Sequence, residues 1–89
     1  MGPIGARHLE LVKAVNEATT EWEHARSQVF LDGFLDCADL LGMMTGIMMI
    51  EVDLHYIDQG IDRPMCGGVF LDWSPAPCPP AAPATREGE

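Results

Sequence analysis

Leu40-Leu-Gly-Met-Met-Thr-Gly-Ile-Met-Met-Ile50 is the stretch on which the fold turns. It is eleven residues without a charge, closed off by Asp39 and Glu51. As a single helix it is apolar around its whole circumference, and such a helix must be enclosed or it exposes a large apolar patch. At 1.5 Å per residue it spans roughly 16 Å, about half of a hydrocarbon core near 30 Å, which is too short to cross a membrane. One partner helix from an 89-residue chain cannot enclose it. Self-association is therefore expected, with two or more copies surrounding the segment. Gly42-x-x-x-Gly46 fits that expectation, because small residues four apart let helix backbones approach closely, although the motif is best attested in lipid. Leu41, Gly42, Gly46 and Ile47 are the expected self-association residues. Met43, Met44, Met48 and Met49 are flexible side chains that adapt to irregular surfaces. They serve equally as a core stripe or as contacts to an outside protein.

Toward the N-terminus, Leu11, Val15, Ala18, Trp22, Ala25 and Val29 recur at alternating steps of four and three. That spacing keeps all six on one stripe of a helix. Phe30, Phe34, Cys37, Leu41, Met44 and Met48 form a second run in a register shifted by one residue, beside Asp32-Gly33. The shift reads as a stutter in one long helix or as the turn of a helical hairpin. A long helix through Gly33 is the favoured expectation, since one glycine there costs only about 1 kcal/mol. Thr20-x-x-Glu23 also matches a capping box, which allows a turn near Thr19–Thr20.

Toward the C-terminus, Ile47, Ile50, Leu54, Ile57 and Ile61 continue a helical stripe, while Val52, Leu54 and Tyr56 alternate as a strand would. Helix to about Gln59 is expected, with Gly60 as the residue just past its end. The competing strand pairs with Val69-Phe-Leu-Asp-Trp73 across Gly67-Gly68. Five of the seven prolines fall between Pro75 and Pro83, and that stretch reads as an extended, unpacked tail. The expected fold is thus all-α. A long helix or helical hairpin covers about residues 5–59 and self-associates into a bundle, within a small helical domain at 1–73 whose residues 60–73 are irregular or a short hairpin. A Pro/Ala-rich disordered tail occupies 74–89.

Charge narrows the function. Fourteen acidic residues against five basic ones give a net charge of −9. That balance excludes a direct phosphate-gripping nucleic-acid binder and a polybasic membrane-surface protein. Eight of the acids lie in residues 27–74, where Arg63 is the sole Lys or Arg. Asp32, Asp36 and Asp39 stand at i, i+4 and i+7, on one helix face, and Asp58 and Asp62 repeat the four-residue step. Such a step advances about 6 Å along a helix axis, so the carboxylates form a sparse track comparable with phosphates about 3.4 Å apart on a DNA strand. A solvated face that keeps an apolar bundle in solution is the plainer explanation.

Chemistry is poorly represented. Ser27 and Ser74 are the only serines and neither sits in a G-x-S-x-G elbow. Lys13 is the sole lysine and follows no Gly-rich phosphate loop. Cys66 and His55 form a conceivable nucleophile pair, but acidic surroundings disfavour a thiolate. His55, Cys66 and Cys78, with Asp53, Asp58 or Asp62 as a fourth ligand, match no zinc-knuckle spacing. No metal or cofactor is expected. Three cysteines, an odd number without a C-x-x-C pair, suit reduced thiols in a cytoplasm better than a disulfide framework. Pro77-x-x-Pro80 and Pro80-x-x-Pro83 are weak polyproline-ligand signals.

The expected function is non-enzymatic binding: an acidic helical adaptor or inhibitor of a protein partner. Met43, Met44, Met48, Met49 and Trp73 make its contacts, and Asp32, Asp36 and Asp39 steer a basic partner surface. The alternatives are a nucleic-acid mimic that blocks a DNA- or RNA-handling enzyme, and a purely structural self-assembling bundle. Val69–Trp73 either docks on a partner or folds back onto the helices.

Overall fold

The computed structural model describes residues 2–75 as three helices and a minimal hairpin: α1 Pro3–Glu17, α2 Glu21–Leu40, α3 Thr45–Asp58, β1 Met65–Cys66 and β2 Val69–Phe70. The expected Pro-rich tail and Cys78 lie outside the described residues.

The stripe from Leu11 to Val29 is not one helix. Glu17 ends α1, and Ala18 adopts an extended conformation. Thr20 then restarts the chain as the N-cap of α2, its hydroxyl accepting from the Glu23 N–H at 3.1 Å. The Glu23 carboxylate accepts in return from the Thr19 hydroxyl at 3.0 Å and from the Thr19 N–H. This reciprocal cap satisfies donors that a helix start leaves open. Thr19 holds the Glu23 carboxyl below its ordinary value, and Glu21 and Glu23 suit the positive end of the helix dipole. With only three residues between them, α1 and α2 fold back on each other. His8 near the start of α1 stacks on Phe34 near the end of α2, ring centroids 6.0 Å apart. The helix does run through Gly33 without a break.

The apolar run Leu40–Ile50 is not one helix either. Gly42 takes a φ of +81°, outside the region other residues adopt readily. Its N–H donates to Asp39 O at 2.9 Å, and the Met43 N–H donates to Ala38 O at 3.0 Å. Those two bonds are a Schellman cap that closes α2. Gly42 therefore terminates one helix and Gly46 lies in the first turn of the next, so they share no helix face. The second sequence run divides likewise, with Phe30, Phe34 and Cys37 on α2 and Met48 on α3.

An equivalent cap ends α3. Gly60, φ +83°, donates to Ile57 O, and Ile61 donates to Tyr56 O at 3.1 Å. Ile61 turns back to pack against the core. Glu51–Ile57 is helical, and the strand partner of Val69–Phe70 is Met65–Cys66, in the register Met65↔Phe70 and Cys66↔Val69. Gly67 and Gly68 both have positive φ, as a two-residue hairpin turn of this hand requires.

The core gathers Val12 and Val15 of α1, Leu31 of α2, Val52 and Tyr56 of α3 and Phe70 of β2. Asn16 ties the hairpin into it. Its amide donates to Gly68 O at 2.8 Å and to the Tyr56 hydroxyl at 3.2 Å, and its oxygen accepts from the Phe70 N–H at 2.9 Å. Burial raises the Tyr56 phenol, against the lowering effect of the Asn16 bond. Among the described residues no helix is long and apolar enough to cross a membrane.

Candidate functional site

Helix α3 is apolar on two sides. Met48, Val52 and Tyr56, at steps of four, are buried. Ile47, Ile50, Leu54 and Ile57, at steps of three, four and three, are 50%, 56%, 57% and 59% exposed. At about 100° per residue the two sets centre on opposite sides of the helix. The inner face is spent on α1 and the hairpin, and among the described residues the outer face stays exposed. Covering the exposed part of each outer side chain is worth on the order of 1 kcal/mol. Three carboxylates, Glu51, Asp53 and Asp58, are the only charges on α3, which has no Lys or Arg. Glu51 and Asp58 are exposed on one margin of the outer stripe. Asp53 lies on the other, where it also accepts from the Gly68 N–H at 2.6 Å. The α2–α3 link adds exposed Leu41 and Met44 next to the start of the helix.

A second exposed stripe runs along α2. Trp22, Ala25 and Val29 continue at the same steps of three and four into Asp32, Asp36 and Asp39, and all six are exposed. One half of this line is apolar and the other half is carboxylate.

The sequence-expected contact residues are dispersed by the fold. Asp32, Asp36 and Asp39 stay together on α2. Met43 is half-buried and Met44 exposed in the link. Met48 is only 8% exposed, on the buried inner face of α3. Met49 is half-buried beside Gly67. Of the expected self-association residues, Leu41 and Ile47 are exposed, and Gly42 and Gly46 sit on different elements. Trp73 folds back: its indole N–H donates to Ala18 O at 2.9 Å, which closes the end of α1, and its ring stacks on His24 at 3.8 Å. Arg63 pairs with Asp72 at 2.6 Å and lies 3.9 Å from the Phe70 ring centroid. That pairing keeps the Asp72 carboxyl below its usual value.

Ile50, Leu54 and Ile57 were legible as a helical stripe, but not as the face that remains open. That depends on which side of α3 meets α1. Asn16 carries no signal in the sequence at all.

For chemistry the arrangement offers little. A groove between α2 and the hairpin is lined by His24, Asp32 and Cys66 among mostly apolar neighbours. His24 is engaged with Trp73, its Nε2 is buried without a hydrogen-bond partner, and no hydrogen bond joins any Cys to any His among the described residues. No three His, Cys, Asp or Glu side chains among the described residues gather as metal ligands. His8 is 1% exposed with neither ring nitrogen hydrogen-bonded, and burial lowers its pKa against the opposing charge of Glu51.

Comparison with protein-family models, with curated proteins and with solved structures returns no match.

Proposed function

We propose that the chain is a non-enzymatic, acidic helical protein that docks onto a protein partner and modulates it as an adaptor or inhibitor. The observation that carries this reading is the outer face of α3: Ile47, Ile50, Leu54 and Ile57 lie in solvent at coiled-coil spacing, opposite the face that builds the core. A contiguous apolar stripe beside carboxylates is the pattern of a helix awaiting a partner.

The exposed Asp32, Asp36 and Asp39 on one face of α2 favour a second reading, a nucleic-acid mimic directed at a basic groove. Self-assembly through α3, without an outside partner, is the third. Substitution separates them. Met44→Asp with Leu54→Asp is expected to abolish capture of a partner from the source cell, with shallow salt dependence in the parent chain. Under the mimic reading Asp32→Asn, Asp36→Asn and Asp39→Asn abolish capture instead, and binding falls steeply with salt. Unchanged capture by the Met44/Leu54 variant contradicts the proposal.

A further inference from the structure

We infer that the occupant of the outer α3 face is an amphipathic helix of another protein, with large aliphatic side chains along one stripe and Lys or Arg along its margins. The inference rests on the docking function proposed above and names its partner chemistry.

The spacing of Ile47, Ile50, Leu54 and Ile57 is the three-four step of a helix–helix seam, and it presents about 15 Å of helix, nearly three turns. Charge then selects the occupant. Glu51 and Asp58 on one margin and Asp53 on the other are the only charges that α3 itself sets beside the seam. A second copy laid along it, parallel or antiparallel, brings acid against acid, in a chain that already carries −9. Like-charge juxtaposition of this kind is what discriminates against a wrong partner. Residues 76–89 cannot substitute, because they contain no Leu, Ile, Val, Met or aromatic side chain to fill the seam. Arg63, the sole Lys or Arg from residue 27 to 75, is held by Asp72 and Phe70 and supplies no neutralising charge. An anionic lipid surface meets the same repulsion as a second copy. A basic-flanked helix satisfies both the apolar seam and its margins.

The test uses the full chain and two designed helical peptides with the same Leu seam, one flanked by Lys and one by Glu, titrated by fluorescence anisotropy. The Lys-flanked peptide is expected to bind at least tenfold tighter than the Glu-flanked one. Leu54→Asp, at a position exposed enough to leave the fold intact by circular dichroism, removes that binding, and Glu51→Gln with Asp58→Asn narrows the preference severalfold. The Asp32→Asn, Asp36→Asn, Asp39→Asn variant retains it. Loss of binding in that last variant overturns the inference, because the peptide is then held by α2. Equal binding of the two peptides overturns the charge assignment while leaving the docking function standing. A dimer in sedimentation equilibrium that Leu54→Asp converts to monomer overturns it in favour of a second copy. Binding of neither peptide contradicts the inference and the docking function together.

Discussion

Asn16 and His8 show how differently two polar residues on one helix are used. Asn16 bonds to Gly68, Phe70 and Tyr56, which are 40 to 54 positions away in the chain, so its side chain is satisfied only once α3 and the hairpin are in place. No local pattern marks such a residue, because its partners are defined by the tertiary fold. His8 is buried without a hydrogen-bond partner among the described residues, and the folded state favours its neutral form. In the unfolded chain it takes up a proton near pH 6.5, which the folded chain refuses until a lower pH. Stability from this source is therefore complete above about pH 6.5 and falls as pH drops toward the folded-state value. Glu51, which attracts the proton, limits the loss. The carboxyls of Glu23 and Asp72, lowered by their hydrogen bonds, act in a separate and more acidic window. His8→Leu is expected to remove the loss between pH 7.5 and 5.5 and to raise stability at neutral pH by roughly 1 kcal/mol, since carbon replaces unsatisfied nitrogen. Urea midpoints at the two pH values check this; an unchanged pH slope contradicts it.

At the scale of the elements, the legible parts were those with local chemistry. The Thr20–Glu23 cap, the passage of α2 through Gly33 and the Gly60 terminus all follow from residues within a few positions of one another. Hydrophobic spacing misled in two places. The stripe across Ala18 and the run across Gly42 keep helical steps, yet α1 ends at Glu17 with Thr20 capping the start of a new helix, and the Gly42 cap ends α2. Beyond the first turn the stripe faces solvent, since Trp22, Ala25 and Val29 are exposed, so helical spacing continues across a turn without one continuous buried face and cannot locate the break. The hairpin glycines permit a sharper test. A Cβ on Gly68 lies 2.2 Å from Val52 Cγ1 and 3.0 Å from Val12 Cγ1, whereas Gly60 has open space at nearly the same φ. Gly68→Ala is expected to cost about 2–5 kcal/mol, combining left-handed backbone strain with overpacking. Gly60→Ala carries the backbone strain alone, about 1–2 kcal/mol. Equal losses in denaturant unfolding contradict the close approach of the turn to α1 and α3.

For the whole molecule, the core is small and much of the apolar surface stays outside it. Small chains bury a lower fraction of their surface than large ones, but scattered exposure does not produce an ordered seam. The outer face of α3 does, and its carboxylate margins give it a sign. The sequence displayed both apolar sides of this helix, partly within Leu40–Ile50 and partly beyond Glu51. Which side faces inward was decided by Gly68 and Val12 meeting Val52, a contact no spacing rule contains. The acidic line on α2 was fully legible and survives as an exposed row, although legibility of a row says nothing of its use.

The most direct measurement is methyl NMR of the full chain, titrated with the Lys-flanked peptide. Saturable shifts are expected at the methyls of Ile47, Ile50, Leu54 and Ile57, with Leu31 and Val15 in the core unmoved. Shifts confined to Val29 and the α2 neighbours of Asp32, or none on α3 at saturation, would contradict it.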